Sequence, residues 1–176
     1  MRGLGRDRII YTGMGKVRTL QACHEAHRHN PKVKTFVLIG FAGGLKGLSI
    51  GDQVEATEVL EYDFDARPFE AYPHRLKNPN LKLLKDSSPA VFVTQDRFLT
   101  SFPKDLDKYV KAPRIACEME TYSLALFASR AKVKWHTVKL ISDIADPNAE
   151  HDFLKACTEL TPELCRLVRS IQSQFS

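Results

Sequence analysis

Apolar and polar positions along the chain alternate between two periods. Val17, Leu20, Cys23 and His27 recur at helix spacing. Asn30-Pro31 ends that helix, because the residue before a proline avoids the α region. The run VKTFVLIG (33–40) is almost continuously apolar and of strand length, as strands covered on both faces are, and it leads into GFAGGLKG. DQVEATEVLEYDFD (52–65) alternates and predicts a further strand; AVFVTQD (90–96) and WHTVKLISD (135–143) predict two more. Upstream, Arg8 to Tyr11 predicts a short strand ending in a turn at Gly13 and Gly15. Residues 119–130 predict a largely buried helix. Near the C-terminal end, Thr161 as cap and Pro162 at the first helical position predict a helix with Leu164, Leu167, Val168, Ile171 and Phe175 on one face. Residues 66–89 hold four prolines and little periodicity, and are expected to form a loop with at most one short helix.

Strands alternating with helices predict an α/β fold: a three-layer domain over residues 1–176, with a mostly parallel central sheet flanked by helices. The unusual residues fall where the strands end, at Gly13-Met14-Gly15, Phe41-Ala42-Gly43-Gly44, Thr94-Gln95-Asp96 and Ser142-Asp143. Ligands of open α/β sheets bind at the carboxyl ends of the strands, so these four ends predict one shared pocket.

Composition narrows the picture. The chain has 176 residues, 43% hydrophobic and 27% charged, which suits a globular domain with its own core. It has no run of 18 apolar residues, and MRGLGRDRII lacks the apolar centre of a secretory signal, so neither a membrane span nor export is expected. Cys23, Cys117, Cys157 and Cys165 are scattered without a CxxC pair and read as reduced core thiols, which predicts a cytoplasmic protein. The net charge is +5, but the basic residues are dispersed among acids and no basic stripe carries aromatics, so no nucleic-acid partner is expected.

Several short motifs carry chemistry. Asp143, directly after TVKLI, sits at the rim of the sheet, where it serves either as a general acid or ligand clamp or as a turn residue. Glu118 and Glu120 open a helix; the helix dipole explains acids there, and hydrogen bonding to vicinal hydroxyls is the functional alternative. GMGK is too short for a phosphate P-loop. HEAHRH (24–29) spaces its histidines at i and i+3, not the i and i+4 of a zinc helix, and reads as a polar helix face; no metal and no cofactor is expected.

Read together, TGMGKV, FAGGLKGLSIGDQVEATEVLEYDFDA, ACEMETYSLALFA and VKLISDIAD resemble the signature segments of the nucleoside phosphorylase/nucleosidase superfamily. The pattern is most similar to that of 5'-methylthioadenosine/S-adenosylhomocysteine nucleosidases, and it extends from Ile9 to about Phe153. The resemblance implies a purine nucleosidase that hydrolyses the N-glycosidic bond of such nucleosides; a fold without its opening strand would leave an edge or core face bare, so a homodimer or a covering partner is expected. The alternatives are a phosphorylase of the same fold or a nucleoside-binding member without turnover. It implies that Asp143 donates a proton to the purine, with Ser142 orienting it. It further implies that Met119 packs on the ribose, that Glu120 accepts from its hydroxyls with Glu118 in support or as a cap, that Phe98 and Phe153 cover the base, and that the Leu99 backbone reads the base edge. Ala42 and Gly43 fall in the matching strand-end segment.

The departures from that pattern cluster on the side of the attacking water. Lys139 stands where the family has an arginine, and lysine lacks the planar fork. Phe41 stands where a small polar residue is expected. The family's opening βα unit, with its water-activating glutamate, has no counterpart in the sequence, whose first residues MRGLGRD contain no glutamate. The fold is therefore expected to be shortened at its start, and hydrolysis to be impaired, unless another carboxylate, such as Asp63 or Asp65, serves as the base.

Overall fold

The computed structural model describes residues 9–79 and 84–175. Its elements are α1 (Lys16–His29), β1 (Thr35–Lys46), β2 (Gln53–Glu61), β3 (His74–Lys77), β4 (Ser88–Thr94), α2 (Leu106–Tyr109), β5 (Ile115–Glu118), α3 (Thr121–Ala131), β6 (Lys134–Asp143), α4 (Ala149–Glu159) and α5 (Thr161–Phe175). The expected three-layer α/β architecture is present. The strand order is β3-β2-β4-β5-β1-β6, and β2 also pairs with β6.

The long pairings, β1 with β6 and β2 with β4, run parallel, as does β4 with β5. The antiparallel ones, β1 with β5, β2 with β3 and β2 with β6, each join only three or four residue pairs. One edge of β2 is divided between two partners: Gln53–Glu55 faces β6, and Glu58–Glu61 faces β3. Its register against β4 slips between Ala56 and Glu58. An irregularity of this kind bends a strand and increases its twist. Strands β2, β4, β5, β1 and β6 thereby close into a ring, and β3 caps its rim.

The core is built on the faces of this sheet. On one side, α1 and α3 bury Cys23, Tyr122, Leu124 and Phe127 against Leu38, Val54 and Phe92. On another, α5 lays Leu167 and Ile171 over Val138 and Leu140, with Leu164 packed beside them. Phe92 is fully buried, and truncating such a ring costs about 3–5 kcal/mol. His24 and His27 pack edge-on against Phe127, so HEAHRH contributes aromatic packing as well as a polar face.

The chain departs from the sequence expectations at several places. Ile9 to Tyr11 form no strand and are exposed; Arg8 lies outside the described residues. Strand β1 runs on through the glycines to Lys46, because Gly43 and Gly44 pair with Cys117 and Ala116 of β5. No helix forms among the described residues of 66–89. Instead the prolines bracket β3, which pairs with β2. Strand β5 is four residues long and wholly buried, too short to show a period. Thr161 does not cap α5 with its side chain; its hydroxyl donates back to the Cys157 carbonyl. The α5 apolar face is as expected at Leu167 and Ile171, and the Phe175 side chain lies outside the described residues. Of the cysteines, Cys23 and Cys117 are buried, Cys157 is half-buried and Cys165 is exposed, so the thiols are not all in the core. No helix among the described residues is long and apolar enough to cross a membrane.

Candidate functional site

The carboxyl ends of β1, β4, β5 and β6 and the glycine turn before α1 enclose one cavity of about 250 Å³. The shared pocket expected from the strand ends is therefore present, except that Thr94, Gln95 and Asp96 do not line it; beyond β4 its wall is made by Arg97, Phe98 and Leu99. Asp143, Ser142, Met119, Glu120, Phe98 and Phe153 all border it. So do Ala42, Gly43, Leu99, Glu118 and Lys139. Every binding or catalytic residue that the family resemblance implied thus faces one space.

Asp143 ends β6 and is buried. Its Oδ1 accepts the Ala145 N–H at 3.0 Å, and Ser142 Oγ lies 2.8 Å from its Oδ2. The same hydroxyl is 3.2 Å from the Ala42 carbonyl, and with one proton to give it serves the nearer carboxylate. Burial pushes the Asp143 pKa above the ordinary carboxylate range, against the hydrogen bonds from Ser142 and Ala145; Asp152 and Asp146 push it in the same direction as burial. A carboxyl group in such a setting retains its proton to higher pH than a free one. Gly43 makes room for it: a Cβ there would lie 2.7 Å from Asp143 Oδ1 and 2.9 Å from Cys117 Sγ. Burial also raises the Cys117 thiol to about 12, so it stays protonated and is no nucleophile.

The opposite wall begins where β5 turns into α3. Glu118 holds that turn together. Its Oε2 accepts the N–H groups of Glu120 at 2.9 Å and Thr121 at 2.8 Å, and its Oε1 accepts the Thr94 hydroxyl. Thr94 Oγ1 in turn accepts the Tyr122 N–H at 3.0 Å. The first amides of α3, which no helix can satisfy internally, are thus taken up by Glu118 and by a threonine of β4. Glu118 is a helix cap, one of the two roles the sequence left open for it.

Glu120 is free of that duty. Its Oε2 lies 3.0 Å from Lys139 Nζ, and its Oε1 accepts the Gly15 N–H at 3.0 Å. Burial raises its pKa, but Lys139 and the Gly15 amide outweigh this and hold it below the usual value. Lys139, on β6, is fully buried between Glu120 and Glu118 Oε2, the latter 3.6 Å away. Burial works against its ammonium, and the two carboxylates more than offset this, so its pKa is raised. One wall of the cavity therefore bears a fixed anion and the other a carboxyl group inclined to stay neutral.

Three aromatic rings complete the lining. Phe98 and Phe153 meet edge to face with centroids 5.6 Å apart, and Phe41 meets Phe153 in the same way at 6.3 Å. Leu99 is buried with Cys117 and Ala145 beneath them. Asp63 and Asp65 do not border the cavity: Asp63 binds Lys16, and Asp65 pairs with Arg67. The sequence reading missed Thr12, Arg97 and Cys117 as lining residues. Thr12, first in TGMGKV, and Cys117, next to Glu118 in ACEME, were within reach of motif reasoning.

Comparison with known proteins agrees with this fold and cavity. The chain is 30% identical over 169 residues to the aminodeoxyfutalosine nucleosidase of Campylobacter jejuni, covering 82% of this chain and 71% of that protein. It is 29% identical over 167 residues to the 5'-methylthioadenosine/S-adenosylhomocysteine nucleosidase of Oceanobacillus iheyensis, with the same coverage. Among solved structures, the corresponding nucleosidase of Helicobacter pylori in complex with butyl-thio-DADMe-Immucillin-A superposes with a TM-score of 0.78 at 20% identity, over 93% of this chain and 78% of that one. A profile of the Phosphorylase superfamily matches residues 6–173, and the chain belongs to that superfamily.

Proposed function

We propose that this protein binds a purine nucleoside with a 5'-thio or similarly extended 5' substituent and cleaves its N-glycosidic bond by hydrolysis. The observation that carries the reading is the pairing, across one cavity, of a buried carboxyl group at Asp143, its pKa raised by burial, with a carboxylate at Glu120 held by Lys139 and the Gly15 amide. Similarity to nucleosidases of methylthioadenosine, S-adenosylhomocysteine and aminodeoxyfutalosine supports the substrate class.

The chemistry follows from these groups. Asp143 gives its proton to a ring nitrogen of the purine, so that the base leaves as a neutral molecule with the electron pair of the broken C–N bond. Positive charge builds on the ribose as the bond opens, as in glycoside cleavage. Glu120 accepts from the sugar hydroxyls and lies on the wall where that charge develops. Phe98 and Phe153 flank the base, the Leu99 backbone meets its edge, and Met119 packs on the sugar. Water then adds to the anomeric carbon and releases a proton to solvent, and Asp143 takes one up again, so that the net reaction is nucleoside plus water to free base plus ribose.

A second reading, nucleoside binding with little turnover, has its own support. Among the described residues the carboxylates that border the cavity are Glu118, Glu120 and Asp143. Glu118 is committed to capping α3, Glu120 to the sugar and Lys139, and Asp143 to the base. None is left to activate water, and Phe41, where the family resemblance implies a small polar residue, fills part of the lining against Phe153.

We further propose a homodimer in the cytoplasm. Tyr11, Met14 and Val17 stand 95%, 64% and 75% exposed beside the cavity mouth, more apolar surface than a free helix start needs. Free thiols suit a reducing compartment. Release of adenine from methylthioadenosine, measured with and without phosphate, tests the main reading. Release that is independent of phosphate and lost in Asp143→Asn supports hydrolysis. Release that requires phosphate identifies a phosphorylase. Tight binding without release supports the second reading, and absence of both rejects the assignment.

A further inference from the structure

Three neighbouring parallel strands, β2, β4 and β5, send carboxylates from their ends toward the start of α1. From β2 come Glu61 and, two residues on, Asp63. Lys16 Nζ donates to Glu61 Oε1 at 2.9 Å and to Asp63 Oδ1 at 2.6 Å. From β4 comes Asp96, whose Oδ1 accepts the Lys16 N–H at 2.8 Å and whose own N–H donates to Asp63 Oδ2 at 2.8 Å. From β5 comes Glu120, which takes the Gly15 N–H. Burial disfavours the Lys16 ammonium, yet its carboxylate partners Asp63 and Glu61 hold its pKa above the usual value, so Lys16 keeps its charge throughout the neutral range.

Gly15 is the joint. Its φ of +100° is one that side chains rarely adopt, and a Cβ would stand 3.2 Å from Asp96 Oδ1. The turn is therefore pressed against Asp96 on one side and aims its amide at Glu120 on the other. Neither Lys16 nor Asp96 borders the cavity. We infer that Lys16 and Asp96 are positioning residues: by fixing the Gly15 amide, they set where the Glu120 carboxylate stands and so how well the site grips a vicinal diol. The inference rests on the reading of Glu120 as the group that holds the sugar. It also gives GMGK and the aspartate of TQD a shared task that neither motif disclosed alone.

A merely structural clasp would weaken all ligands alike, whereas a positioning clasp acts on the diol. The test measures dissociation constants of adenosine, 2',3'-dideoxyadenosine and adenine for the wild type, Asp96→Asn, Lys16→Met and Glu120→Ala, using the full chain. The expected result is a loss of about three- to tenfold for adenosine in Asp96→Asn and Lys16→Met, with dideoxyadenosine and adenine unchanged. Asp96→Asn keeps shape and volume, and carries the test alone if Lys16→Met does not fold. Equal losses for all three ligands, or no loss for any, would overturn the inference. A wild-type preference for adenosine over dideoxyadenosine that Glu120→Ala leaves intact would instead overturn the reading of Glu120. A preference abolished by Glu120→Ala but kept in both clasp variants would overturn the clasp alone.

Discussion

Gly43 and Asp143 occupy adjoining space that a single methyl group would fill. A Cβ at Gly43 would come within 2.7 Å of Asp143 Oδ1 and 2.9 Å of Cys117 Sγ, both closer than real contacts allow. Gly43→Ala must therefore move the acid, the thiol or the strand. Misplacement of a reacting group by an ångström costs ~10²-fold, so we expect turnover to fall by about that factor while stability falls by only about 1–3 kcal/mol. Steady-state kinetics and urea unfolding separate the two effects. Adding Cys117→Ala should return part of the activity by freeing one side; unchanged kcat in Gly43→Ala would show that Asp143 has slack.

Asp143→Asn should show opposite trends in activity and stability. The folded pKa of Asp143 lies above its unfolded value, so below the ordinary carboxylate range both states are neutral there. As pH rises toward the raised folded value, only the unfolded chain ionises, and the wild type loses stability. The asparagine variant does not share that loss. Unfolding midpoints should therefore coincide near pH 3 and diverge in favour of Asp143→Asn by pH 7, while its turnover disappears. In the wild type, kcat should decline as pH rises through the folded pKa. A variant less stable at pH 7 than at pH 3, relative to wild type, would contradict this sign.

Lys139→Met removes the one cation between two buried carboxylates. Breaking a buried pair in this way costs about 3–5 kcal/mol, because the partner charges stay behind. The double variant with Glu120→Gln should recover a large part of that cost. Denaturant titrations of the three variants give the coupling directly, and additive losses would mean that Lys139 and Glu120 are energetically independent.

Phe41→Ser opens the wall beside Phe153. The ring is half-buried, so its removal should cost about 1–3 kcal/mol, less than a core phenylalanine. If Phe41 obstructs the attacking water, the variant should release adenine faster despite its lower stability, and Lys139→Arg should add to the gain. Slower release in both would place the obstacle elsewhere.

How much of this was legible in the sequence depended on the length of each signal. Strands β1, β2, β4 and β6 and helices α1, α3 and α5 run for seven residues or more, and their periods were plain. Strands β3 and β5, four residues each, have no period to read, and β5 merged with the helix that follows it. Ser142, Asp143, Ala42 and Gly43 stood out as unusual residue types at strand ends, whereas Met119, Phe98, Leu99, Phe153 and Lys139 were reached only through the family resemblance. Residue types alone did not separate Glu118 from Glu120, since two acids at a helix start look alike; the family resemblance gave Glu120 the sugar and left Glu118 as support or cap, and the Thr94 hydroxyl and the α3 amides make Glu118 the cap. The Lys16 clasp was hidden for a different reason: its partners lie 45, 47 and 80 residues away along the chain.

That sequence separation has a kinetic consequence. Gly15 reaches Glu120 across 105 residues, and Ser142 reaches the Ala42 carbonyl across 100. Closing such loops costs chain entropy before any contact repays it, so these contacts are expected to form late during folding. A chain in which these contacts have not yet formed lacks the join between the two walls of the cavity. On the proposed function, a nucleoside is expected to bind molecules that have completed the ring of strands and to stabilise them by mass action. Added during refolding, it should leave the early phases untouched and slow unfolding, which makes the ligand a reporter for the last step of folding.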